Sequence, residues 1–421
     1  MELYYSFSIL IVIATIFSYI NIRFLKFPST IGVMVIAMIV SIGLVIIGNF
    51  TTTHPLDSFA TLIQHIDFTK VLMGCMLNFL LFAGAIHINM QDLKEQKLPI
   101  IVFSTLSVII STFVVGFALY YLLNLLLPMV DVHLEIPFIY CLLFGALISP
   151  TDPIAVLSIL KEAKVSKSLE TKVAGESLFN DGVAVVVFTI ILSIAQGTGS
   201  AHSITFGGVT WLLVKEAIGG LLVGIGIGHL AWYGMRTAND YKISVLITLS
   251  VVMGGYLIAT AMHISGPLTM VAAGLIIGNS RKKGLKKDSV TSSYLGIFWE
   301  LIDEVMNAIL FLFIGLELIL IPDLGKYWSI GLICIIVVLF ARYISIKIPT
   351  MIIPFKEKLS KGTITILVWG GLRGGVSIAL ALSVAEGPYK KVIIAATYFV
   401  VVFSIIVQGM SIGKLAKRIK I

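Results

Sequence analysis

Ser149-Pro150-Thr151-Asp152-Pro153 stands inside an apolar run, residues 136–160, of the length needed to cross a bilayer. Pro150 and Pro153 remove two backbone donors and disfavour helix before each ring, so this run breaks partway across. A second run, 362–386, holds Gly370-Gly371-Leu372-Arg373-Gly374-Gly375, and a third, 168–196, holds Gly175-Glu176-Ser177-Leu178-Phe179-Asn180-Asp181-Gly182. A charge at the bilayer centre costs about 2.5 kcal/mol or more, and broken backbone survives there only beside protein or water. All three features predict an ion pathway, and with it a secondary ion transporter.

Composition fixes the class. Of 421 residues, 58% are hydrophobic and 12% charged, more apolar than a water-soluble fold needs. The net charge of +8 invites nucleic acid as a partner, but the basic residues fall in short loops between apolar runs, which reflects membrane topology instead. Cys75, Cys141 and Cys334 lie far apart within apolar segments and read as packing residues. Met1-Glu2-Leu3 offers no basic leader region, so the first run reads as a retained span.

The runs predict an all-α polytopic membrane protein of about thirteen transmembrane helices with no soluble domain. They lie near 4–22, 29–48, 70–89, 98–127, 136–160, 168–196, 209–234, 243–262, 266–280, 296–320, 328–350, 362–386 and 390–413. With the N-terminus outside, inner segments hold 23 basic residues and outer segments only Lys70, Lys215, Lys326, Lys390 and Lys391. That bias predicts an outer N-terminus, a cytoplasmic C-terminus and a multi-pass protein of the cell (plasma) membrane. Arg342 and Arg373 fall inside spans and join the site.

At about 1.5 Å of rise per residue, Asp152, Glu176, Arg342, Arg373 and Asp181 occupy one layer, roughly 12 to 20 Å from the inner surface. Carbonyls freed around Thr151 suit a desolvated cation; a proline kink with Asp152 capping its second half is the structural alternative. On the sixth span, Ser177 and Asp181 share a face and Glu176 and Asn180 form the adjoining stripe. Glu176 matches the depth of Arg342, which predicts an ion pair. The glycine pairs around Arg373 serve either close helix packing or a second unwound stretch whose carbonyl ends call for positive charge.

Spans 1–6 (residues 1–200) and 8–13 (237–421), linked by span 7 (201–236), make two six-helix repeats within a single membrane domain. A separating seventh span inverts the second half and places each break in the fifth span of its repeat, so the broken helices cross at the midplane.

Ser149–Leu160 (SPTDPIAVLSIL), Gly175–Phe188 (GESLFNDGVAVVVF), Phe311–Leu318 (FLFIGLEL) and Trp369–Ser383 (WGGLRGGVSIALALS) resemble the monovalent cation:proton antiporters, the family of NhaP-type proteins and animal sodium/proton exchangers. The resemblance covers essentially the whole chain. It implies a six-helix core domain, a separate dimerisation domain and a homodimer that serves pH homeostasis. It makes Asp181 the ion- and proton-binding carboxylate and Asn180 its partner. Ser177 and Thr151 join Asp181 as ligands of the monovalent cation, with Asp152 at the crossing. Glu176 with Arg342 becomes a structural ion pair, and Arg373 the compensating charge at the second break. One departure stands out. Where members often carry Leu-Leu-Phe-Glu in the third span, Leu80-Leu81-Phe82 precedes Ala83, leaving water or Asn78 to substitute.

The substrates so implied are H+ and Na+, with Li+ and K+ as alternatives, and no cofactor is called for. A carboxylate in a poorly solvated site holds its proton more tightly, so proton and cation compete for Asp181. With Asn at position 180, electroneutral one-for-one exchange is the family expectation. Glu300, Asp303 and Glu304 form either an entrance that concentrates cations or an ordinary interfacial helix end. A cation-selective channel is the alternative function, and it needs no titratable carboxylate. An enzyme is not expected: the chain has no His-Glu-x-x-His and no Gly-x-Ser-Gly, and its seven histidines, His87, His229 and His263 among them, are scattered.

Overall fold

A computed structural model describes residues 2–50, 71–126, 135–163, 165–197, 206–238, 240–284, 290–319, 321, 324–355 and 359–419. Among them every element is helical, and extended pairing is confined to one antiparallel bridge between Asp152 and Leu372. In chain order come α1 (Glu2–Ile20), α2 (Ser29–Phe50), α3 (Leu77–His87), the short α4 (Met90–Glu95) and α5 (Lys97–Ile101), and α6 (Ser107–Leu126). The first broken span is α7 (Phe138–Ile148) and α8 (Ile154–Glu162), followed by α9 (Lys167–Ala195), α10 (Phe206–Ala238), α11 (Tyr241–Ala261) and α12 (Gly266–Gly284). Then come α13 (Val290–Leu316), α14 (Trp328–Ile352), the second broken span α15 (Lys361–Trp369) and α16 (Gly375–Leu382), α17 (Lys390–Phe403) and α18 (Gly409–Ile419). Single π-helical turns extend α1 (Asn21–Leu25), lead into α3 (Leu72–Met76), join α5 to α6 (Val102–Leu106) and join α17 to α18 (Ser404–Gln408).

Both interruptions fall where proline and glycine chemistry places them, between Ile148 and Ile154 and between Trp369 and Gly375. Among the described residues, 8 helical stretches are long and apolar enough to cross a membrane, and Leu72–His87, Phe138–Ile148 and Gly266–Asn279 are shorter apolar helices. That measure does not reach the expected thirteen. It passes over α13, which carries Glu300, Asp303 and Glu304, and the pair α15–α16, whose halves are too short to qualify.

Two groups of helices surround the breaks. In one, α6, α7, α9, α14, α16 and α17 pack on one another; in the other, α3, α10, α11, α12 and α13 do so. Helix α9 touches α7 and α16 on one side and α3, α10 and α12 on the other, so its polar residues stand at the seam. The outward faces of α10 and α11 carry Trp211, Leu222, Leu230, Tyr233, Met253 and Leu257, which only lipid or another apolar surface would solvate well.

Two readings of the charged residues change. Lys172, expected in an inner loop, lies within α9, is buried, and donates from Nζ to Ser168 Oγ at 3.1 Å. A long aliphatic stem lets the side chain run along the helix while its ammonium reaches back a turn. The Glu300–Glu304 cluster does not open its helix, because α13 starts at Val290. Of the basic residues used to orient the chain, Lys70, Lys164, Lys286, Lys287, Lys356, Lys358 and Lys420 lie outside the described residues.

Candidate functional site

The two interruptions meet. Asp152 N–H donates to the Leu372 carbonyl at 2.8 Å, a backbone bond between the unwound stretches. Close approach depends on glycine: a Cβ at Gly374 would collide with the Asp152 carboxylate, and one at Gly371 would lie 2.6 Å from Arg342 Nε. The exposed backbone of the second break is then satisfied group by group. Arg342 Nη2 and Nε donate to Leu367 O at 2.9 and 3.3 Å, and Gln408 Nε2 donates to Trp369 O at 3.0 Å. Leu372 N–H reaches Gly370 O at 2.8 Å, and Arg373 Nη1 reaches Gly371 O at 2.7 Å. Positive charge at the carbonyl end of a half-helix is what the backbone dipoles call for. Arg373 N–H is held by Ser404 Oγ at 2.8 Å.

Sequence reasoning missed Ser404 and Gln408. The signal was present, as two polar residues one turn apart in an apolar helix, but Ser and Gln in a span also bond their own backbone and so do not announce a partner.

Against this crossing α9 places its polar residues. Arg342 Nη1 and Glu176 Oε1 form an ion pair at 2.5 Å, and both residues are buried. Asn180 Nδ2 donates to Thr151 Oγ1 at 2.8 Å, and Thr151 Oγ1 stands 3.2 Å from Ser177 Oγ. The Glu176–Asn180 stripe therefore divides: Glu176 turns to α14, whereas Asn180 joins Ser177 at the first break. Asn180 Oδ1 is buried with no hydrogen-bond partner, an acceptor left open beside two hydroxyls. Asp181 is also buried, and Asp152 is the charge that acts on it. Asp152 acts in the same way on Asp303 of α13. The amide and hydroxyl groups of Asn180, Thr151 and Ser177 meet at one point, with a buried carboxylate on the same helix, and oxygens of these kinds suit a hard cation. Among the described residues no group of His, Cys, Asp and Glu is arranged to hold a metal as a resident cofactor.

Ala83 of α3 is wholly buried in the apolar cluster that α3 shares with α10, α11 and α12. Asn78, one and a half turns earlier, is buried as well. On the side of the site where α9 ends, a cleft of about 480 Å³ is lined by Met73, Gly74, Phe188, Thr189, Tyr256 and Ser383, among others. Phe188, at i+7 from Asp181, shares its helix face, so the cleft and the carboxylate lie along the same side of α9, two turns apart.

Comparison with known proteins identifies the family and the fold. The family described as "Sodium/hydrogen exchanger, transmembrane" matches residues 10–418. The Na(+)/H(+) antiporter NhaP of Pseudomonas aeruginosa is 45% identical over 415 residues, covering 97% of this chain and 95% of that protein. The Na(+)/H(+) antiporter NhaH of Halobacillus dabanensis is 31% identical over 425 residues, covering 98% and 97%. The structure of the sodium proton antiporter MjNhaP1 from Methanocaldococcus jannaschii superposes with a TM-score of 0.77 over 99% of both chains at 20% identity, which shows a shared fold.

Proposed function

Because the chain belongs to the sodium/hydrogen exchanger family, we propose that it is a secondary active antiporter that exchanges Na+ for H+, with Li+ and K+ as the competing cations to be ranked. The observation that carries this is the Asp181 carboxylate, buried on the helix that also brings Ser177 and Asn180 to Thr151, at the point where two broken helices cross.

The chemistry is competition. A proton on Asp181 neutralises the group that would hold the cation, so the site carries one or the other. Asn180 Oδ1, Ser177 Oγ and the Thr151 segment supply neutral oxygens that replace part of the cation's water. An empty, charged site is costly to move through a dry seam, whereas a loaded site moves neutral. Alternation of the two helix groups about the fixed site would open it to each face in turn. One carboxylate per cycle makes the exchange one-for-one and electroneutral. In this reading thirteen passes form two inverted halves, residues 1–200 and 237–421, joined by 201–236. The N-terminus is outside and the C-terminus cytoplasmic, and the protein is a homodimer of the plasma membrane that contributes to pH homeostasis. Family membership favours exchange over conduction through a channel.

The test is a proteoliposome assay with an imposed pH gradient. Sodium, lithium or potassium, added separately, should dissipate the gradient with saturation and with one proton moved per cation. Current that flows without proton countertransport would overturn the proposal in favour of a channel.

A second expectation concerns α3. Restoring the acid with Ala83→Glu adds a charged oxygen ligand if position 83 reaches the cation, and apparent affinity should then tighten about tenfold, with a changed order among the three ions. The variant must first show normal expression and monodispersity, since an unpaired carboxyl in an apolar cluster can destabilise the fold. A well-folded variant whose affinity and ion order match the parent across pH would place residue 83 away from the site.

A further inference from the structure

We propose that Asn78 of α3 is a cation ligand on the route between the 480 Å³ cleft and Asp181, used only when the site faces that cleft; this deepens the antiporter reading and rests on it.

The argument starts from the backbone. The π-helical turn Leu72–Met76 runs directly into α3 and shifts the register of its carbonyls. Asn78 Nδ2 answers that shift by donating to Met73 O at 3.3 Å and Gly74 O at 3.2 Å. Met73 and Gly74 line the cleft, so both amide donors are spent on its wall. The acceptor is not. Asn78 is 1% exposed, and its Oδ1 has no hydrogen-bond partner. A buried carbonyl-type oxygen left unpaired is costly, and a visiting partner would relieve that cost.

Oδ1 lies beside the start of α12. A Cβ built on Gly266, the first residue of that helix, would stand 3.5 Å from Asn78 Oδ1 and 3.1 Å from the ring of Tyr256, another lining residue of the cleft. Asn78 therefore stands directly behind the Met73–Gly74 wall of the cleft, beside a position that has no side chain. Two residues further along α12, Leu268 packs against Gly182, the residue after Asp181. The same helical turn thus joins the open oxygen of Asn78 to the neighbourhood of the carboxylate. A neutral oxygen at this point suits a partly dehydrated monovalent cation: it replaces one water without the charge that would trap the ion before it reaches Asp181.

The role makes a sided prediction. A ligand present only in the cleft-facing state affects cation binding from that face alone. In Asn78→Ala, the apparent KM for Na+ presented on the cleft face should rise about tenfold, while the KM on the opposite face and the maximal rate stay within about twofold. Gly266→Ala keeps Asn78 and its two amide bonds but puts a methyl group against Oδ1, and it should shift the same KM in the same direction. Both faces are read with protein in right-side-out and inverted vesicles. If Asn78 only props up the π-helical turn, Asn78→Ala lowers the melting temperature, while Gly266→Ala leaves both KM values alone; that result overturns the proposal. Equal KM changes on both faces also overturn it. Should Asn78→Ala fail to fold, Gly266→Ala decides. Absence of cation-driven proton movement in the unmodified protein would instead sink the antiporter reading, a result separate from either.

Discussion

Purified Asp181→Asn protein should show no measurable exchange, with a rate at least about a hundredfold below that of the unmodified protein, while it remains folded in the membrane. The amide preserves the shape of the side chain but can neither take up nor release a proton, so the proton leg of the cycle is lost. It also carries no charge, so the cation leg loses the carboxylate assigned to hold it. Folding should survive for an electrostatic reason. Asp181 is buried, and the charge that acts on it is the like charge of Asp152. Replacing one of two mutually repelling carboxylates by a neutral isostere removes a cost of burial. Melting in detergent should therefore be unchanged or higher, which separates a dead transporter from an unfolded one. Near-normal exchange by monodisperse Asp181→Asn protein would take the carboxylate out of its assigned role.

How far this site could be read from the chain depends on the kind of signal each residue left. Pro150 and Pro153 act through local backbone chemistry, so the first break was visible in sequence, and the glycines flanking Arg373 marked the second. Glu176 and Arg342 were legible because two lone charges at one depth in oil have few alternatives to each other. Periodicity gave the face of α9 but not its neighbours. It grouped Asn180 with Glu176, whereas packing sends Glu176 to α14 and Asn180 to Thr151. Ser404 and Gln408 stayed hidden for a related reason, and Asn78, named from sequence as a possible substitute for the missing acid, gave no sign of the carbonyls it reaches. A small polar side chain in a helix can be satisfied by its own backbone, and only the packed structure tells which carbonyl it reaches. Lys172, counted with the inner segments, proves buried because its stem runs along α9 while its ammonium reaches Ser168.

The ion pair between α9 and α14 should prove to be the costliest element to break, and unequally so from its two sides. Glu176 and Arg342 are 1% and 5% exposed, and removing one partner of a buried pair costs about 3–5 kcal/mol because the other charge is left uncompensated. A third charge sets the asymmetry. Arg373 is buried close enough for both Arg342 and Glu176 to act on it. In Arg342→Ala, Glu176 still has a guanidinium nearby, and the local charge balances; the loss falls on the Leu367 carbonyl that Arg342 had held. In Glu176→Ala, two buried guanidinium groups face each other with no counter-ion. Glu176→Ala should therefore lie at or beyond the upper end of that range and Arg342→Ala near the lower end. Thermal unfolding of the two single variants and the double variant in detergent measures this directly. The double variant should be less damaged than the sum of the singles, because removing Arg342 relieves the repulsion that removing Glu176 creates. Additive losses would show that the two residues contribute independently, and an Arg342→Ala loss larger than that of Glu176→Ala would show that Arg373 does not compensate.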